Sequence, residues 1–325
     1  MIPLAKKSPA QSPEIVCVTL NPAIDRTIEV RGLELGQHAQ GRLISRHPAG
    51  KAVNVARVLG YLGQSCILTG FVGEPQRAMF ERSFDSPVVQ TQLFGLDSTT
   101  RENITLVDTA RGIETHVRDE GGSVTSDDCE RLARKLRILA RPNVWMVFAG
   151  SLPRGLTTAG FLQILQTVID RGAQVILDSS EGALAAVQAL PLWLIKPNRV
   201  ELAALTGLRT ETAEEVMKAI AAVPGKIDQV LASVGADGCY LAEGGRIVRA
   251  RMRKLPKKVT NTVGCGDALL AGLLAAKARG YDSLSAVGYA VAVATSACFQ
   301  LQAGDIDAVE VEALVPRVEV TLLKA

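Results

Sequence analysis

Short apolar runs that alternate with segments of helical periodicity are the dominant pattern along this chain. Continuous apolar runs at residues 15–20, 66–71 and 144–148 are typical of strands buried on both faces of a parallel sheet. Apolar residues recur at helical spacing in residues 127–139 and 161–171. Alternation of this kind with short connections predicts right-handed crossovers and an α/β fold around a central, mostly parallel sheet. The same patterns predict further strands at residues 175–178 and 229–234 and a further helix at residues 182–189.

A second pattern, in which apolar and polar residues alternate, occurs at residues 27–46 and 100–118. Such alternation is typical of half-buried strands, and glycines within the first segment are typical of turns between them. We therefore expect short antiparallel strands in these segments. A helix is predicted only after the glycine turn at residues 47–50, where apolar residues resume helical spacing.

The stretch Gly264-Cys265-Gly266-Asp267 carries the sharpest chemical signal, because a glycine turn opens there directly into an apolar helix. Glycines permit close approach of the backbone to a ligand, and the unpaired N–H groups of a helix start attract anions. Asp267 has two interpretations: it caps the helix, or it acts as a general base beside developing negative charge. The pattern alone leaves both interpretations open.

Composition limits the classes of function. The chain has 325 residues, of which 47% are hydrophobic and 21% charged, and this suits one large α/β domain or two smaller ones. The net charge of +3 is too small to indicate nucleic-acid or membrane binding. Six cysteines without a C-x-x-C pair, together with only three histidines, argue against a zinc site. Scattered cysteines are typical of a reducing compartment, so we expect a cytoplasmic protein.

Two segments bear on export and membranes. Residues 1–13 have lysines and prolines but no apolar core of a secretory signal, so we predict a disordered tail followed by one domain at residues 14–325. The apolar run at residues 286–301 is short for a membrane span and rich in small residues, which favours a buried helix.

No G-x-x-x-x-G-K-[ST] motif occurs, which argues against the P-loop kinases.

Several short motifs occur in one order along almost the whole chain, and together they resemble those of the ribokinase-like (PfkB-type) carbohydrate kinases. Each motif is weak alone, and the specificity of the match comes from their joint order. The chain departs from the usual family pattern at Ala49, Ala52, Ala149 and Cys265, where the family usually has two glycines, a serine and an alanine. The matching motifs are N-P-A-I-D (21–25), A-G-K-A-V-N (49–54), T-R-E-N (100–103), G-S-L-P-R-G (150–155), K-P-N-R-V-E-L (196–202), S-V-G-A-D-G (233–238) and N-T-V-G-C-G-D (261–267).

The resemblance implies a ribokinase-like three-layer α/β/α sandwich with a central, mostly parallel sheet and a small β-sheet lid. The lid corresponds to residues 27–46 and 100–118, and in this family it often pairs with a second subunit, so a homodimer is expected. The implied activity is ATP-dependent phosphorylation of a ketohexose phosphate. D-Fructose 1-phosphate is the expected substrate, giving the 1,6-bisphosphate, with fructose 6-phosphate and tagatose 6-phosphate as alternatives. A non-catalytic sugar-phosphate binding protein on the same fold is the alternative from another class.

The resemblance also implies roles for individual residues. It makes Asp267 the general base and places Gly264, Cys265 and Gly266 around the transferred phosphoryl group. The residues expected to bind the sugar phosphate are Asp25, Gly50, Lys51, Asn54, Arg101 and Ser151. The residues expected to bind the nucleotide are Lys196, Asn198, Ser233, Gly235 and Gly238. The residues expected around cations are Asn198 and Glu201, which would hold Mg²⁺ through its water shell, and residues 302–305, which would surround K⁺.

Several of these residues also have purely structural interpretations. The planar guanidinium of Arg101 suits a phosphate, but an exposed strand arginine fits the same pattern. Asn198 and Glu201 lie three residues apart at a predicted helix start, as in a capping box. Lys51 alone would be interpreted as a solvated lysine, and Asp25 alone as part of a solvated turn.

Overall fold

The computed structural model describes residues 14–84, 86–179 and 188–324. The tail predicted at residues 1–13 lies outside them, as does most of the helix predicted at residues 182–189. In chain order the strands are β1 (Glu14–Thr19), β2 (Ala23–Val30), β3 (Gly41–Ala49), β4 (Cys66–Gly73), β5 (Val89–Leu96), β6 (Arg101–Asp108), β7 (Ile113–Arg118), β8 (Val144–Ala149), β9 (Gln174–Asp178), β10 (Leu192–Ile195), β11 (Ile227–Ser233), β12 (Cys239–Glu243), β13 (Arg246–Met252) and β14 (Val318–Lys324). The helices are α1 (Lys51–Tyr61), α2 (Glu74–Arg82), α3 (Ser126–Leu139), α4 (Thr158–Ile169), α5 (Arg199–Thr206), α6 (Ala213–Ala221), α7 (Cys265–Ala278), α8 (Ser283–Ala297) and α9 (Ala308–Leu314).

Most of the described strands form one central sheet in the order β14-β13-β12-β11-β10-β9-β8-β1-β4-β5. Every neighbouring pair from β11 across to β5 is parallel, whereas β11 to β14 pair antiparallel at one edge. The middle strands are buried along nearly their whole length, and β8 is buried at every position, because helices cover both faces. The predicted mostly parallel sheet is therefore confirmed.

Helices form a layer on each face of the central sheet, because alternate residues of a strand point to opposite sides. Ile15 and Cys17 of β1 belong to a core cluster with residues of α1, α7, α8 and α9. Val16 and Val18 belong to a second cluster with residues of α3, α4, α5 and α6. The three-layer α/β/α sandwich is thereby confirmed.

The two most apolar helices, α7 and α8, lie within the first of these clusters. Both are buried on nearly all sides, which explains why their sequences show no polar face. The apolar run at residues 286–301 falls on α8 and the turn after it, and α8 is buried as predicted. In the described part of the chain, no helix is both long enough and apolar enough to cross a bilayer.

A separate four-stranded sheet, which we call the lid sheet, has the order β3-β2-β6-β7. This confirms the small second sheet, although β2 and β6 pair parallel rather than antiparallel. The lid sheet also begins earlier than expected, because only three residues connect β1 to β2. As a result Asp25 lies within β2 and faces His47 across the β2–β3 pair, so its interpretation as part of a solvated turn is wrong.

Candidate active site

The start of α7 is shaped by a glycine turn. Gly264 is the N-cap, and its φ of 81° lies in the left-handed region that glycine adopts without strain. A Cβ on Gly264 would lie 3.0 Å from the Cβ of Ala303, so close packing also requires glycine. Among the described residues no side chain caps α7, and Asp267 in its first turn makes no capping hydrogen bond. The backbone N–H of Cys265 donates to the carbonyl oxygen of Thr262 at 3.4 Å, so it is the N–H groups of Gly266 and Asp267 that face an anion at this helix start.

Asp267 is a buried carboxylate whose pKa is raised to about 7. Its side chain is 6% exposed, and Oδ2 accepts a hydrogen bond of 2.8 Å from Nδ2 of Asn54. Burial is the main cause of the raised pKa, and the negative charge of Asp178 adds to it. The hydrogen bond from Asn54 and the charges of Lys196 and Lys51 act in the opposite direction. A carboxylate with this pKa can accept a proton at neutral pH, as a general base must.

Asp178, the last residue of β9, holds two lysines in the site. It is fully buried, with Oδ1 2.7 Å from Nζ of Lys51 and Oδ2 3.0 Å from Nζ of Lys196. Burial tends to raise the pKa of Asp178, but the two ammonium groups outweigh it and the pKa is lowered. Lys196 reaches further, because a Cβ on Gly266 would lie 3.3 Å from its Nζ. Asp178, Lys51 and Lys196 form a charged triad, which therefore connects the edge of the sheet to the start of α7.

Asp178 was not predicted as a site residue. Its position was the available signal, because an acidic residue at the carboxyl end of a parallel strand lies where α/β sheets bind ligands. Lys51 was predicted to contact a substrate phosphate, and that contact stays a prediction; in this structure its ammonium group contacts Asp178. Burial acts to lower the pKa of Lys51, but the charge and hydrogen bond of Asp178 outweigh it, and the pKa is raised.

The N-terminal half of α1 brings Asn54 to Asp267. Gly50, the N-cap of α1, has a φ of 121°, and a Cβ there would lie 3.2 Å from Cα of Pro22. The next turn holds Asn54 against Gly304, where a Cβ would lie 3.0 Å from the Asn54 Oδ1 atom. Arg57 also holds α1 against residues 303–304, because its guanidinium donates to the carbonyl oxygen of Ala303 at 3.1 Å. Residues 303–304 therefore pack against both helix starts.

The lid sheet contributes a second polar cluster. Asn103 of β6 donates a hydrogen bond of 2.8 Å from Nδ2 to Oδ1 of Asp25. His47 lies opposite Asp25 on β3, and neither of its buried ring nitrogens has a hydrogen-bond partner among the described residues. Burial lowers the pKa of His47, which favours the neutral ring. Asn103 belongs to the matched T-R-E-N motif and His47 lies two residues before the A-G-K motif, but neither was predicted as a site residue.

Arg101 lies at the junction of the lid sheet and the central sheet. Its Nε donates to the carbonyl oxygen of Pro22 at 3.2 Å, and Nη2 donates to that of Asn21 at 3.1 Å. Asn21 also donates from Nδ2 to Oγ of Ser151 at 3.1 Å. The structure thus brings Arg101 and Ser151 to the same turn, while Lys51 has a different partner, Asp178.

A cavity of about 340 Å³ adjoins the start of α7. Its wall includes three predicted nucleotide-binding residues, Ser233, Gly235 and Gly238, and also Cys265 and Gly266. Gly238 has a φ of 91°, and a Cβ there would lie 2.0 Å from the carbonyl oxygen of a β13 residue, so only glycine fits. The apolar part of the wall comes from Leu269, Val291 and Ala294. An apolar cavity beside an anion-binding turn suits a nucleotide base and its phosphates.

Asn198 and Glu201 form the capping box of α5. Oδ1 of Asn198 accepts from the backbone N–H of Glu201 at 2.9 Å, and Oε2 of Glu201 accepts from the backbone N–H of Asn198 at 2.8 Å. Asn198 also forms a β-bridge with Ser233, which places this helix start beside the cavity. Among the described residues, no group of three or more acidic, histidine or cysteine side chains could hold a metal directly.

Comparisons with known proteins agree with this geometry. The profile of the pfkB family carbohydrate kinase matches residues 18–308. A 1-phosphofructokinase of Vibrio cholerae serotype O1 is 33% identical over 314 residues, which cover 95% of this chain and 97% of that protein. A 1-phosphofructokinase of Escherichia coli K12 is 30% identical over 310 residues, which cover 95% and 98%.

The crystal structure of phosphofructokinase-2 from Escherichia coli in complex with potassium shares the fold. Its TM-score is 0.84 at 24% sequence identity, with 94% of this chain and 98% of that chain covered. At this identity the likeness concerns architecture, and it extends over nearly the whole chain.

Proposed function

Because the chain belongs to the pfkB family of carbohydrate kinases, we propose that it transfers the γ-phosphoryl group of ATP to D-fructose 1-phosphate, giving fructose 1,6-bisphosphate. The observation that carries this proposal is Asp267, a buried carboxylate with a pKa of about 7 at a helix start beside a nucleotide-sized cavity. The relatives named 1-phosphofructokinase support the choice of sugar phosphate.

The chemical step requires a proton acceptor. Ionised Asp267 takes the proton of the attacking sugar hydroxyl while the bond from that oxygen to phosphorus forms and ADP leaves. Its hydrogen bond from Asn54 fixes the orientation of the carboxylate, because Asn54 is itself held by the packing of α1. The backbone N–H groups around Gly264, Cys265 and Gly266 stabilise the charge on the transferred phosphoryl group.

The sugar phosphate is proposed to lie between the lid sheet and α1. Asp25 and Ser151 would hydrogen-bond sugar hydroxyls, and Gly50 allows the backbone to approach them closely. Arg101 would bind the phosphate with its planar fork, and Lys51 would supply a second positive charge. Lys51 can do so while it remains near Asp178, since an ammonium group has three donors.

The nucleotide is proposed to occupy the cavity beside α7. Ser233, Gly235 and Gly238 would contact it from the wall, and Lys196 and Asn198 from its edge. Lys196 is suited to the γ-phosphate because its ammonium group already lies against Gly266. In this position its charge would stabilise the negative charge that develops on the phosphoryl oxygens during transfer.

Magnesium is proposed to accompany the nucleotide. Asn198 and Glu201 would hold Mg²⁺ through water molecules, and their capping box fits this role because it fixes both side chains at the cavity edge. Mg²⁺ usually keeps several waters, so a direct cluster of acidic ligands is not required. The ion would neutralise charge on the phosphates. We also propose that backbone groups of residues 302–305, which pack against Gly264, hold K⁺.

The lid sheet is proposed to pair with a second copy of the chain in the cytoplasm. Every residue of β7 is exposed, and it carries Ile113 and Val117, each 52% exposed. Leu43 and Ile44 of β3 are about as exposed, at 51% and 48%. Exposed apolar residues on both edge strands are typical of a surface that a partner covers.

A substrate panel tests the proposed activity. ADP release would be measured with fructose 1-phosphate, fructose 6-phosphate, tagatose 6-phosphate and unphosphorylated fructose, each with Mg–ATP. We expect the highest kcat/KM for fructose 1-phosphate, and a kcat roughly 10²- to 10⁴-fold lower for the Asp267→Asn variant. A higher value for either 6-phosphate would overturn the substrate assignment. Sugar-phosphate binding without ADP release by the unmodified protein would support the non-catalytic alternative instead.

A further inference from the structure

Two cysteines meet at the wall of the nucleotide cavity. Cys265 is the first residue of α7, and Cys298 follows the last residue of α8, 33 positions along the chain. Their Sγ atoms are 2.7 Å apart, shorter than the usual hydrogen bond between two thiols and longer than the length of about 2.05 Å of a disulfide bond. The packing of α7 against α8 therefore brings the two sulfurs together without a covalent bond between them.

The surroundings of this pair differ from those of the other cysteines. Cys265 and Cys298 both line the cavity of about 340 Å³ and are only partly buried. Cys17, Cys66 and Cys239 are buried in the core and have no such access. A small molecule that enters the nucleotide cavity therefore reaches the thiols of Cys265 and Cys298 directly.

We propose that Cys265 and Cys298 are a redox-modification site, at which a low-molecular-weight disulfide produces an intramolecular disulfide bond that reversibly inhibits phosphoryl transfer. The inhibitory part rests on the proposed kinase function, whereas the formation of the bond does not. The inference depends on residues of this chain rather than on the family motif, in which alanine is usual at the position of Cys265.

The chemistry is a thiol–disulfide exchange in two steps. The thiolate of Cys298 attacks one sulfur of the small disulfide, forms a mixed disulfide and releases one small thiolate. The thiolate of Cys265, after losing its proton to water, then attacks Sγ of Cys298 and releases the second small thiolate. Two cysteine thiols are oxidised and one small disulfide is reduced to two thiols, so electrons and atoms balance.

The hydrogen bond between the thiols favours Cys298 as the first nucleophile. Either thiol can donate in this hydrogen bond. When Cys265 donates, its proton stabilises the thiolate of Cys298, and the pKa of the Cys298 thiol is lowered. The same hydrogen bond, together with burial, raises the pKa of Cys265. Cys298 is therefore the more readily ionised of the two, and the thiolate is the reactive form.

The expected inhibition follows from what the bond would connect. Cys265 lies between Gly264 and Gly266, whose backbone is proposed to bind the transferred phosphoryl group. The carbonyl oxygen of Cys298 already accepts hydrogen bonds from the backbone N–H groups of Thr260 and Asn261. A covalent bond would draw the start of α7 toward the end of α8. It would also fix the segment before α7, which already contacts Cys298. Displacement of catalytic groups by about 1 Å can cost roughly a hundredfold in rate.

The test uses the full chain treated with oxidised glutathione, with and without saturating ATP. Peptide mapping under non-reducing conditions should find Cys265 linked to Cys298, and ATP should slow the linkage because it covers both thiols. Kinase activity should fall at least tenfold relative to the reduced protein and return with dithiothreitol. Cys298→Ala, compared with its own activity under reducing conditions, should lose this sensitivity. Cys265→Ala should form no internal linkage and should instead keep one glutathione on Cys298, because the second step needs the thiol of Cys265. Cys129→Ser, which changes a cysteine of α3 outside the cavity, should keep it.

The proposal is overturned if mapping finds no peptide linking Cys265 to Cys298 after full reaction. It is equally overturned if the bond forms and kinase activity is unchanged, or if Cys298→Ala remains as sensitive as the unmodified protein. Failure of the proposed kinase function would be seen separately, as absence of ADP release by the reduced protein with every sugar phosphate. The mapping and its protection by ATP do not depend on that activity.

Discussion

The end of β9 and the start of α7 each carry a buried carboxylate, and the two differ in their partners. Asp178 lies between two ammonium groups, and its pKa is lowered although the residue is fully buried. Among the described residues, Asp267 has only the amide of Asn54 as a hydrogen-bond partner, and its pKa is raised to about 7. Burial is similar at the two positions, so the charged partners decide the protonation state.

The difference assigns separate tasks to the two groups. Asp178 stays ionised and holds Lys51 and Lys196 in place, whereas Asp267 can exchange a proton near neutral pH. The two are also linked, because the negative charge of Asp178 is one cause of the raised pKa of Asp267. A fixed anion next to a proton acceptor is a known way to match a carboxyl group to its working pH.

The largest expected effect is on catalysis. Asp267→Asn keeps the size of the side chain and can still accept the hydrogen bond from Asn54, but it cannot take a proton. We expect kcat to fall roughly 10²- to 10⁴-fold, while ATP and sugar phosphate still bind. Steady-state kinetics and calorimetric binding would measure both. A folded variant with near-normal kcat would refute the general-base role.

The second effect concerns stability and separates Asp178 from Asp267. Asp178→Asn would leave two lysines, one of them almost fully buried, without their counter-charge. We expect a loss of roughly 3 to 5 kcal/mol in the free energy of unfolding, measured by urea denaturation. Asp228→Asn, which changes an exposed residue of β11, is the matched control and should be near neutral. A loss equal to that of the control would show that the triad adds no stability.

The third effect is on the free energy of unfolding of Asp267→Asn, and its sign is opposite to that expected for Asp178→Asn. The folded-state pKa of Asp267 lies above its unfolded-state value, so its contribution to stability is present at low pH and is lost as pH rises through about 7. Asp267→Asn removes this loss. Relative to the unmodified protein, the variant should gain on the order of 2 kcal/mol between about pH 5 and about pH 8. A constant difference between the two proteins over this range would contradict the raised pKa.

The smallest of these effects tests the far end of the site, where Arg101 contacts backbone carbonyl groups instead of a carboxylate. Arg101→Ala should raise KM for the sugar phosphate roughly tenfold and leave KM for ATP almost unchanged, since a lost hydrogen bond to a charged group has about this weight. Arg42→Ala, which changes an exposed lid arginine paired with Glu29, is the control. Equal changes in both KM values would refute the phosphate role of Arg101.

The contrast also shows what sequence patterns can predict. The apolar runs predict the buried strands of the central sheet, because a strand covered on both faces has no polar side. The glycine turn before α7 predicts an anion-binding helix start, because its geometry is local. The placement of Asp25 within a lid strand was missed, because the boundary depends on a three-residue connection rather than on periodicity.

Other parts of the site depend on contacts between segments far apart in the chain. Asp178 meets Lys51 across 127 positions, and Asn54 meets Asp267 across 213, and no local pattern carries these pairings. The partner of Lys51 could therefore not be predicted from the A-G-K motif. The meeting of Cys265 with Cys298 likewise follows from the packing of α7 against α8, two helices whose apolar sequences give no register.

The role of Asp267 as general base is tested most directly by the pH profile of kcat/KM for fructose 1-phosphate. The position of its acid limb would be compared between the unmodified protein and Asp178→Asn. We predict a fall below about pH 7 in the unmodified protein, because Asp267 must be ionised to accept the proton. Removing the charge of Asp178 should move this limb to lower pH. Titration of the substrate phosphate, with a pKa of about 6, would place the limb at the same pH in both proteins. An unmoved limb, or none, would contradict the assignment of Asp267.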